Sequence, residues 1–158
     1  MNNEELKIKI TELLPSAIFD ETGEWLNIHV TPTDWLSFAI QLRNDDLLFF
    51  DYLFCLTCID WTKPAEEKPD LTMVYHFSST KFRHHIVVKS NLNSSQPQIE
   101  TVSNIWQTAN FLEREVYEMF GVNFLNHPDL RLLILPDGWE GKNPMRKNFE
   151  DPINMIKL

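Results

Sequence analysis

Glycine and cysteine are scarce in this chain, which has four glycines and two cysteines among 158 residues. The glycines, at positions 23, 121, 138 and 141, form neither the glycine-rich turn that binds a dinucleotide nor a phosphate-binding loop. Two cysteines fall short of the four protein ligands of an ordinary iron–sulfur cluster, and they cannot build a disulfide framework. The sequence therefore predicts no nucleotide-binding loop and no iron–sulfur cluster in this chain.

Positive charge and long hydrophobic runs are also lacking. The 14 Lys and Arg residues are outnumbered by 23 Asp and Glu residues, and a net charge of -9 excludes nucleic acid as an expected partner. The longest apolar candidate, residues 52–59, is far shorter than the roughly 20 residues of a membrane-spanning helix, so we expect no direct membrane insertion. The acidic first five residues lack the features of a secretory signal, which predicts a cytoplasmic location.

Apolar residues make up 43% of the chain and aromatic residues 12%, enough for one folded domain. Helical spacing predicts amphipathic helices over residues 4–14 and 35–42, the second capped by Thr33. Alternation predicts a strand over residues 24–30. Residues 47–59 are apolar and aromatic with few polar residues, which indicates a buried strand or pair of strands, although the choice between helix and strand stays open.

A hairpin is predicted in the middle of the chain, after an exposed loop at residues 63–70. Its two strands each have an apolar face, formed by Leu71, Met73, Tyr75 and Phe77 and then by Ile86, Val88 and Leu92. The strongest helical pattern follows, in Ile105, Ala109, Leu112, Val116 and Met119. Asn110 and Glu113 fit a capping box at its start, and Gly121 ends it. The fold class is therefore α+β, with a mixed or antiparallel sheet and flanking helices.

The end of the chain has a different chemical character from the rest. Residues 1–126 hold 9 Lys or Arg against 18 Asp or Glu, whereas residues 127–158 hold 5 of each and several prolines. We therefore divide the chain into a body, residues 1–126, and an extended C-terminal arm, residues 127–158. A segment rich in proline, arginine and tryptophan has the composition of a docking segment, so deleting the arm is expected to spare the body.

Residues 112–124, followed by His-Pro-Asp-Leu-Arg at 127–131, resemble the signature of the C subunit family of the respiratory NADH-quinone oxidoreductase, complex I. The runs at 136–141 and 144–147 continue that signature, so the specific match covers about a quarter of the chain. The sequence departs from the family at Asn126, Leu132 and Gly138, and at Lys142-Asn143, where one residue is inserted. Contacts of that last turn are expected to matter less.

The resemblance implies a non-catalytic, cofactor-free structural subunit of the hydrophilic arm of complex I. Such a subunit would dock on the quinone-site subunit and contact other hydrophilic-arm subunits, peripherally on the cytoplasmic side of the inner membrane. The whole complex would use NADH, FMN and iron–sulfur clusters to reduce quinone. The equivalent subunit of a related membrane-bound hydrogenase or of a ferredoxin or quinone oxidoreductase is the alternative.

The candidate site is accordingly a partner interface, with no catalytic, cofactor-binding or metal-binding residue. Charges on the predicted helix either face solvent, with Arg114 pairing with Glu118 four residues on, or meet a partner. In the arm, arginine can form bidentate pairs with carboxylates of another chain. The predicted interface residues are Glu113, Arg114, Glu115, His127, Asp129, Arg131, Trp139, Glu140, Arg146 and Lys147.

Three other functions fit the sequence less well. Cys55 and Cys58 have the spacing of a redox or zinc-binding pair, but no second pair exists and buried structural cysteines are favoured. His84 and His85 are adjacent on a strand and face opposite ways, and His76 also lacks companions, so solvated or hydrogen-bonded histidines are favoured over a metal site. A hydrolase based on Glu113 or His127 lacks a nucleophile–base motif.

Overall fold

The computed structural model describes residues 1–20, 23–62 and 70–151. The loop predicted at residues 63–70 and the end of the arm beyond residue 151 therefore lie almost entirely outside the described residues. The elements, in chain order, are α1 (Asn3–Leu13), β1 (Ile18–Asp20), β2 (Leu26–His29), α2 (Trp35–Asn44), β3 (Tyr52–Asp60), β4 (Leu71–Ser78), β5 (His85–Leu92), β6 (Gln98–Glu100), α3 (Ala109–Phe120) and β7 (Asn123–Leu125).

Five strands form one sheet in the order β1-β2-β5-β4-β3. Its neighbours pair antiparallel except β2 and β5, which are parallel, while β6 and β7 form a separate parallel pair. The predicted α+β class with a mixed sheet is confirmed. The ambiguous stretch at 47–59 resolves into a loop followed by the edge strand β3.

The predicted hairpin is confirmed as β4 and β5, with Tyr75 opposite Val88. Alternation puts the apolar face of both strands into the core, because successive side chains of a strand point to opposite faces. Trp35 of α2 lies against Tyr75 with ring centroids 4.2 Å apart, and Leu6 of α1 and Val116 of α3 join the same core. One core therefore holds all the main elements together.

The starts of two helices differ from the prediction. Helix α2 follows Asp34 without a side-chain cap, and Thr33 instead shares a hydrogen bond with the hydroxyl of Thr31. The capping box predicted for α3 is wrong, since the helix begins at Ala109 and Glu113 bonds elsewhere. The end was predicted correctly, because Gly121 closes α3 in the left-handed conformation at φ 71°.

Side chains before α3 fix this helix against the sheet edge. The indole Nε1–H of Trp106 donates to the carbonyl of Phe50 at 2.8 Å, and Thr108 donates to the carbonyl of Leu53 at 2.9 Å. These bonds occupy backbone acceptors beside β3 and thereby position α3 to receive the arm. Within the residues described, no helix is long and apolar enough to cross a membrane.

Candidate functional site

Helix α3 carries three charged side chains that face inward. The exposed fractions are 0% for Glu113, 7% for Arg114 and 2% for Glu118. Charged groups are almost never fully buried unless they are paired or hydrogen-bonded. Their partners therefore identify what α3 is built to hold.

Glu118 binds the backbone of the arm. Its carboxylate accepts hydrogen bonds from the consecutive N–H groups of Leu133, Ile134 and Leu135, at 2.9, 2.9 and 3.1 Å. Successive N–H groups that converge in this way form an anion-binding concavity. One carboxylate thus supplies the acceptors that a helix or strand would otherwise supply to this irregular segment.

Arg114 holds the preceding residues of the arm. Its Nε–H donates to the carbonyl of Arg131 at 3.1 Å, and a second guanidinium nitrogen donates to the carbonyl of Leu132 at 2.8 Å. The predicted exposed pair between Arg114 and Glu118 is wrong, because both side chains are buried and both bind the arm. Residues 131–135 are therefore fastened to α3 by two opposite charges, one on carbonyls and one on N–H groups.

Glu113 and His127 meet where the arm begins. Glu113 accepts hydrogen bonds from the hydroxyl of Thr101 and from the N–H of Val102, and its Oε2 lies 3.7 Å from His127 Nε2. Burial raises the pKa of Glu113 to about 7, although the two hydrogen bonds oppose that shift. Both side chains have no exposed surface, so the two residues considered for a hydrolase are adjacent but closed to a substrate.

The ring of His127 is held as the neutral tautomer. Its Nδ1 accepts the N–H of Asp129 at 3.0 Å, which leaves the proton on Nε2 to donate to the carbonyl of Asn110 at 3.2 Å. Burial lowers the pKa of this histidine, and the nearby guanidinium of Arg114 acts in the same direction. A neutral ring forms no ion pair, so the contact with Glu113 is a packing contact for the histidine.

The second half of the arm is fastened to the end of α3. The N–H of Met145 donates to the carbonyl of Met119 at 3.0 Å, and Arg146 Nε donates to the carbonyl of Phe120. These carbonyls belong to the last helical turn, which lacks partners within the helix. The N–H of Lys147 also donates to Asp60 on β3 at 2.8 Å. The arm therefore runs along α3 from His127 to Lys147, and we call this stretch the strap.

Several large apolar side chains are exposed on α3 and on the arm, among polar ones. Four exposed side chains, which we name the outer strip, lie on α3 or on the arm: Phe111 at 58%, Leu133 at 39%, Ile134 at 61% and Met145 at 58%. The guanidinium of Arg131 is nearby and its side chain is 73% exposed. Sequence reasoning missed the outer strip, although the apolar residues at 132–135 were a signal, since they lie where no periodicity requires a core.

The ten predicted interface residues divide into three sets by exposure, and their contact with a partner stays a prediction. Glu113, Arg114 and the ring of His127 face inward within this chain, so none of the three is an exposed charge on α3 or the arm. Exposed residues are Glu115, Asp129, Arg131, Glu140 and Lys147, while Trp139 and Arg146 are partly buried. Trp139 stacks under Lys142 at 4.3 Å and, with Arg146, lines an open groove of about 820 Å³ beside Ser94.

The cysteines and the strand histidines are buried, half-buried or packed against other side chains. Burial raises the pKa of Cys58 to about 12 and also raises that of the half-buried Cys55. His84 Nε2 is hydrogen-bonded to the carbonyl of Leu48 at 2.7 Å, which is one of the two expected surroundings, and His85 stacks on Trp25 at 5.1 Å. Across residues 1–20, 23–62 and 70–151, no group of three or more His, Cys, Asp or Glu is placed to hold a metal ion.

Known proteins provide independent evidence. A family model described as "Respiratory-chain NADH dehydrogenase, 30 Kd subunit" matches residues 28–152. The NADH-quinone oxidoreductase C subunit of Chloroherpeton thalassium is 37% identical over 73% of this chain and 46% of its own length. The same-named protein of Chlorobium phaeobacteroides is 37% identical over 85% and 79%. The NADH-quinone oxidoreductase C/D subunit of Phocaeicola vulgatus is 39% identical over 68% of this chain and 20% of its own length. The chain thus spans less than half the length of some relatives.

Two solved structures share the fold. A trypsin-resistant fragment (1-134) of Nqo5 superposes with a TM-score of 0.69 at 24% identity, over 82% of this chain and 100% of the fragment. A chain of the membrane-bound sulfane sulfur reductase, an archaeal respiratory membrane complex, superposes with a TM-score of 0.78 at 26% identity, over 93% and 85%. Chains of this fold therefore occur both in Nqo5 and in an archaeal respiratory membrane complex.

Proposed function

The chain belongs to the family of the 30 kDa subunit of respiratory-chain NADH dehydrogenase, and on this premise we propose that it is a non-catalytic structural subunit of the hydrophilic arm of an NADH-quinone oxidoreductase. It docks on the quinone-site subunit, peripherally on the cytoplasmic side of the membrane. The observation that carries this proposal is the strap on α3, whose polar backbone is bound internally while its apolar side chains face outward.

The chemistry of the strap suits docking. Association costs less free energy when the binding surface has little conformational freedom to lose. Arg114 and Glu118 already fix the backbone of residues 131–135. Exposed large apolar side chains are frequent at interaction surfaces, and arginine is a frequent anchor of interfaces. The outer strip offers the first and Arg131 the second.

We further infer that this chain binds no flavin, iron–sulfur cluster or nucleotide, and that it needs its partners for any redox activity. The support is chemical, since two cysteines with raised pKa values and four separated glycines provide neither cluster ligands nor a phosphate cradle. The partner subunits would supply FMN, the iron–sulfur clusters and the quinone site. NADH oxidation or quinone reduction by the isolated chain would contradict this inference.

Copurification tests the docking role. A tagged full-length chain is recovered from solubilised native membranes, and the bound proteins are identified. We expect the quinone-site subunit and other hydrophilic-arm subunits with the wild type, and at least tenfold less of them with Ile134→Gln. Ile8→Gln is the matched control, because Ile8 of α1 is 64% exposed and lies away from the strap. Equal recovery by both variants would contradict docking through the outer strip.

A second machine is favoured by one observation. The chain of the sulfane sulfur reductase superposes over 93% of this chain, which fits an equivalent subunit of a related hydrogenase-type or ferredoxin-linked membrane complex. The same copurification distinguishes the two functions. Flavin- and NADH-binding partners indicate complex I, whereas hydrogenase-type partners without them indicate the related complex.

A further inference from the structure

A cluster of cations lies where the β4–β5 turn meets the loop before β3. We name it the cationic corner and define it as Arg43, Phe49, Lys81, Phe82 and Arg83. Lys81 and Arg83 are exposed and Arg43 is half-buried. Throughout the described part of the chain, none of these three cations has a carboxylate within the 4.0 Å of a salt bridge.

The nearby carboxylates are mostly engaged elsewhere. Asp45 binds Lys9 at 3.4 Å and accepts the N–H groups of Leu47 and Leu48. Asp51 accepts the N–H and the hydroxyl of Thr80, and Arg43 acts on it only at longer range. Asp46 is the exposed acidic residue of the loop. Three cations thus remain available at this corner of a chain with a net charge of -9.

Aromatic rings hold two of the cations in place. The guanidinium of Arg43 lies 4.8 Å from the ring centroid of Phe49, and the Lys81 ammonium lies 5.6 Å from the same ring and 4.7 Å from that of Phe82. Contact with a ring face attracts a cation and removes part of its water shell. These side chains are therefore partly oriented and dehydrated before any partner arrives.

The backbone of the corner is rigid. His84 Nε2 is hydrogen-bonded to the carbonyl of Leu48 at 2.7 Å, which ties the turn to the loop. Within the turn, Ser79 and His84 are linked at 3.0 Å, and Arg83 donates to Ser79 at 2.8 Å. A surface fixed in this way loses little conformational freedom on binding.

Two residues of the corner have a backbone conformation that suits glycine or asparagine better. Arg83 has φ 54° and Phe49 has φ 40°. Bulky residues in the left-handed region are strained, and such strain is concentrated at functional sites. Glycine at position 83 would form the turn without strain but would lack the positive charge. The chain therefore carries an arginine at a position where the backbone alone favours glycine.

We propose that the cationic corner docks an acidic segment of a neighbouring protein, in which carboxylates pair with Lys81 and Arg83 beside the apolar rings. Arg is suited to bidentate pairing with carboxylates, and Leu47, 57% exposed, adds apolar contact area. A protein segment is favoured over an anionic membrane because it can present a few carboxylates locally, whereas a broad anionic surface would also face the acidic remainder of the chain. This site is separate from the strap and goes beyond the proposed function.

Zero-length crosslinking tests the proposal. Freshly broken cells containing the tagged full chain are treated with a carbodiimide, which joins a lysine amine to a carboxylate in direct contact. We expect Lys81 crosslinked to Asp or Glu of another protein, and amine acylation of Lys81 at least fivefold slower than in the isolated chain. Crosslinks only within this chain, or unchanged acylation, would overturn the proposal. Protection that disappears when detergent removes the lipid would assign the corner to a membrane surface and overturn it as well.

A double variant separates binding from folding. Lys81→Gln with Arg83→Gly removes both exposed charges and the strain at position 83. The isolated chain should therefore melt at the same temperature as the wild type or higher. At a salt concentration of about 0.3 M, which screens exposed ion pairs, the neighbouring protein should be recovered at least threefold less than with the wild type. Lys7→Gln is the matched control, since Lys7 also lies over a ring, that of Phe19, and belongs to neither the strap nor the corner. Undiminished recovery would overturn the proposal. If Ile134→Gln keeps the strap partners while this double variant loses its neighbouring protein, docking through the outer strip is contradicted and the proposal for the corner stands.

Discussion

At the scale of single residues, Glu118 shows how one carboxylate can organise an irregular segment. Charge-assisted hydrogen bonds to three consecutive N–H groups replace the acceptors that regular structure would provide. An arrangement of this kind does not follow from helical spacing, because Arg114 and Glu118 at i,i+4 fit an exposed ion pair equally well. Only the presence of the arm beside α3 decides between the two.

Replacing Glu118 by Gln should therefore destabilise the chain. The amide keeps one acceptor but places an NH₂ group against backbone donors, so we expect a loss of about 2 kcal/mol in the free energy of unfolding. Glu115→Gln on the same helix is the control, since Glu115 is exposed, and it should change stability by less than about 0.5 kcal/mol. Chemical denaturation of both variants measures the difference, and equal effects would refute the role of Glu118.

Glu113 makes stability depend on pH in a defined direction. Its ordinary pKa is 4.5 and its pKa in the folded chain is about 7, so between these pH values the folded state binds a proton that the unfolded state has lost. Stability from this group is therefore present at low pH and is lost as pH rises towards 7, by about 3 kcal/mol in total. The pKa values of His76, His84 and His127 are lowered by burial, so their contribution is lost as pH falls and opposes this trend.

Glu113→Gln isolates the effect, because glutamine can still accept from Val102 and donate to Thr101 without titrating. We expect the unfolding free energy of the wild type minus that of the variant to fall by about 3 kcal/mol between pH 5 and pH 8. Denaturant titrations at several pH values provide the measurement. Parallel stability curves would show that the folded chain does not hold a protonated Glu113.

At the scale of elements, the sequence predicted what local periodicity determines. The hairpin of β4 and β5 followed from alternation, and the end of α3 followed from Gly121, since each signal lies within a few residues. The predictions of the two helix starts were wrong because the predicted capping residues form hydrogen bonds with other groups. Glu113 has its partners at Thr101 and Val102, which the chain brings back to α3 only after folding. For the same reason, the sequence identified the charged residues of α3 and the arm but did not predict which of their side chains face inward.

Gly121 serves two functions, and a pair of alanine variants separates them. A Cβ at this position would lie 2.6 Å from the amide of Asn143 in the arm, whereas a Cβ at Gly138 would meet nothing within 4 Å. Both glycines have positive φ, at 71° and 84°, so both variants incur a backbone cost of about 1 kcal/mol. Gly121→Ala should lose about 0.5–1.5 kcal/mol more, because the side chain of Asn143 must also leave its rotamer. Equal losses in thermal denaturation would mean that the arm does not approach α3 this closely.

At the scale of the whole molecule, the body and the arm share their buried charges. The boundary at residue 126 was placed where composition changes, and deletion of the arm was expected to spare the body. The contacts of Arg114 and Glu118 argue the reverse, since both side chains have their partners in residues 131–135. Removing one partner from a buried charge costs more than the pair contributes when intact.

Two truncations test whether the arm is part of one cooperative unit. A chain ending at residue 135 keeps every bond to Arg114 and Glu118 and loses those of Met145, Arg146 and Lys147, so it should fold with reduced stability. A chain ending at residue 126 exposes Arg114 and Glu118 to water and loses their hydrogen bonds to five backbone groups of the arm. Hydrogen bonds to charged groups contribute roughly 1.5–3 kcal/mol each, against a typical total stability of about 5–15 kcal/mol. We expect the first truncation to melt in a single transition by circular dichroism and the second to be unfolded or aggregated at room temperature. If the chain ending at residue 126 instead melts as high as the chain ending at residue 135, the arm is a separable docking segment and the inward bonds of α3 contribute little to the fold.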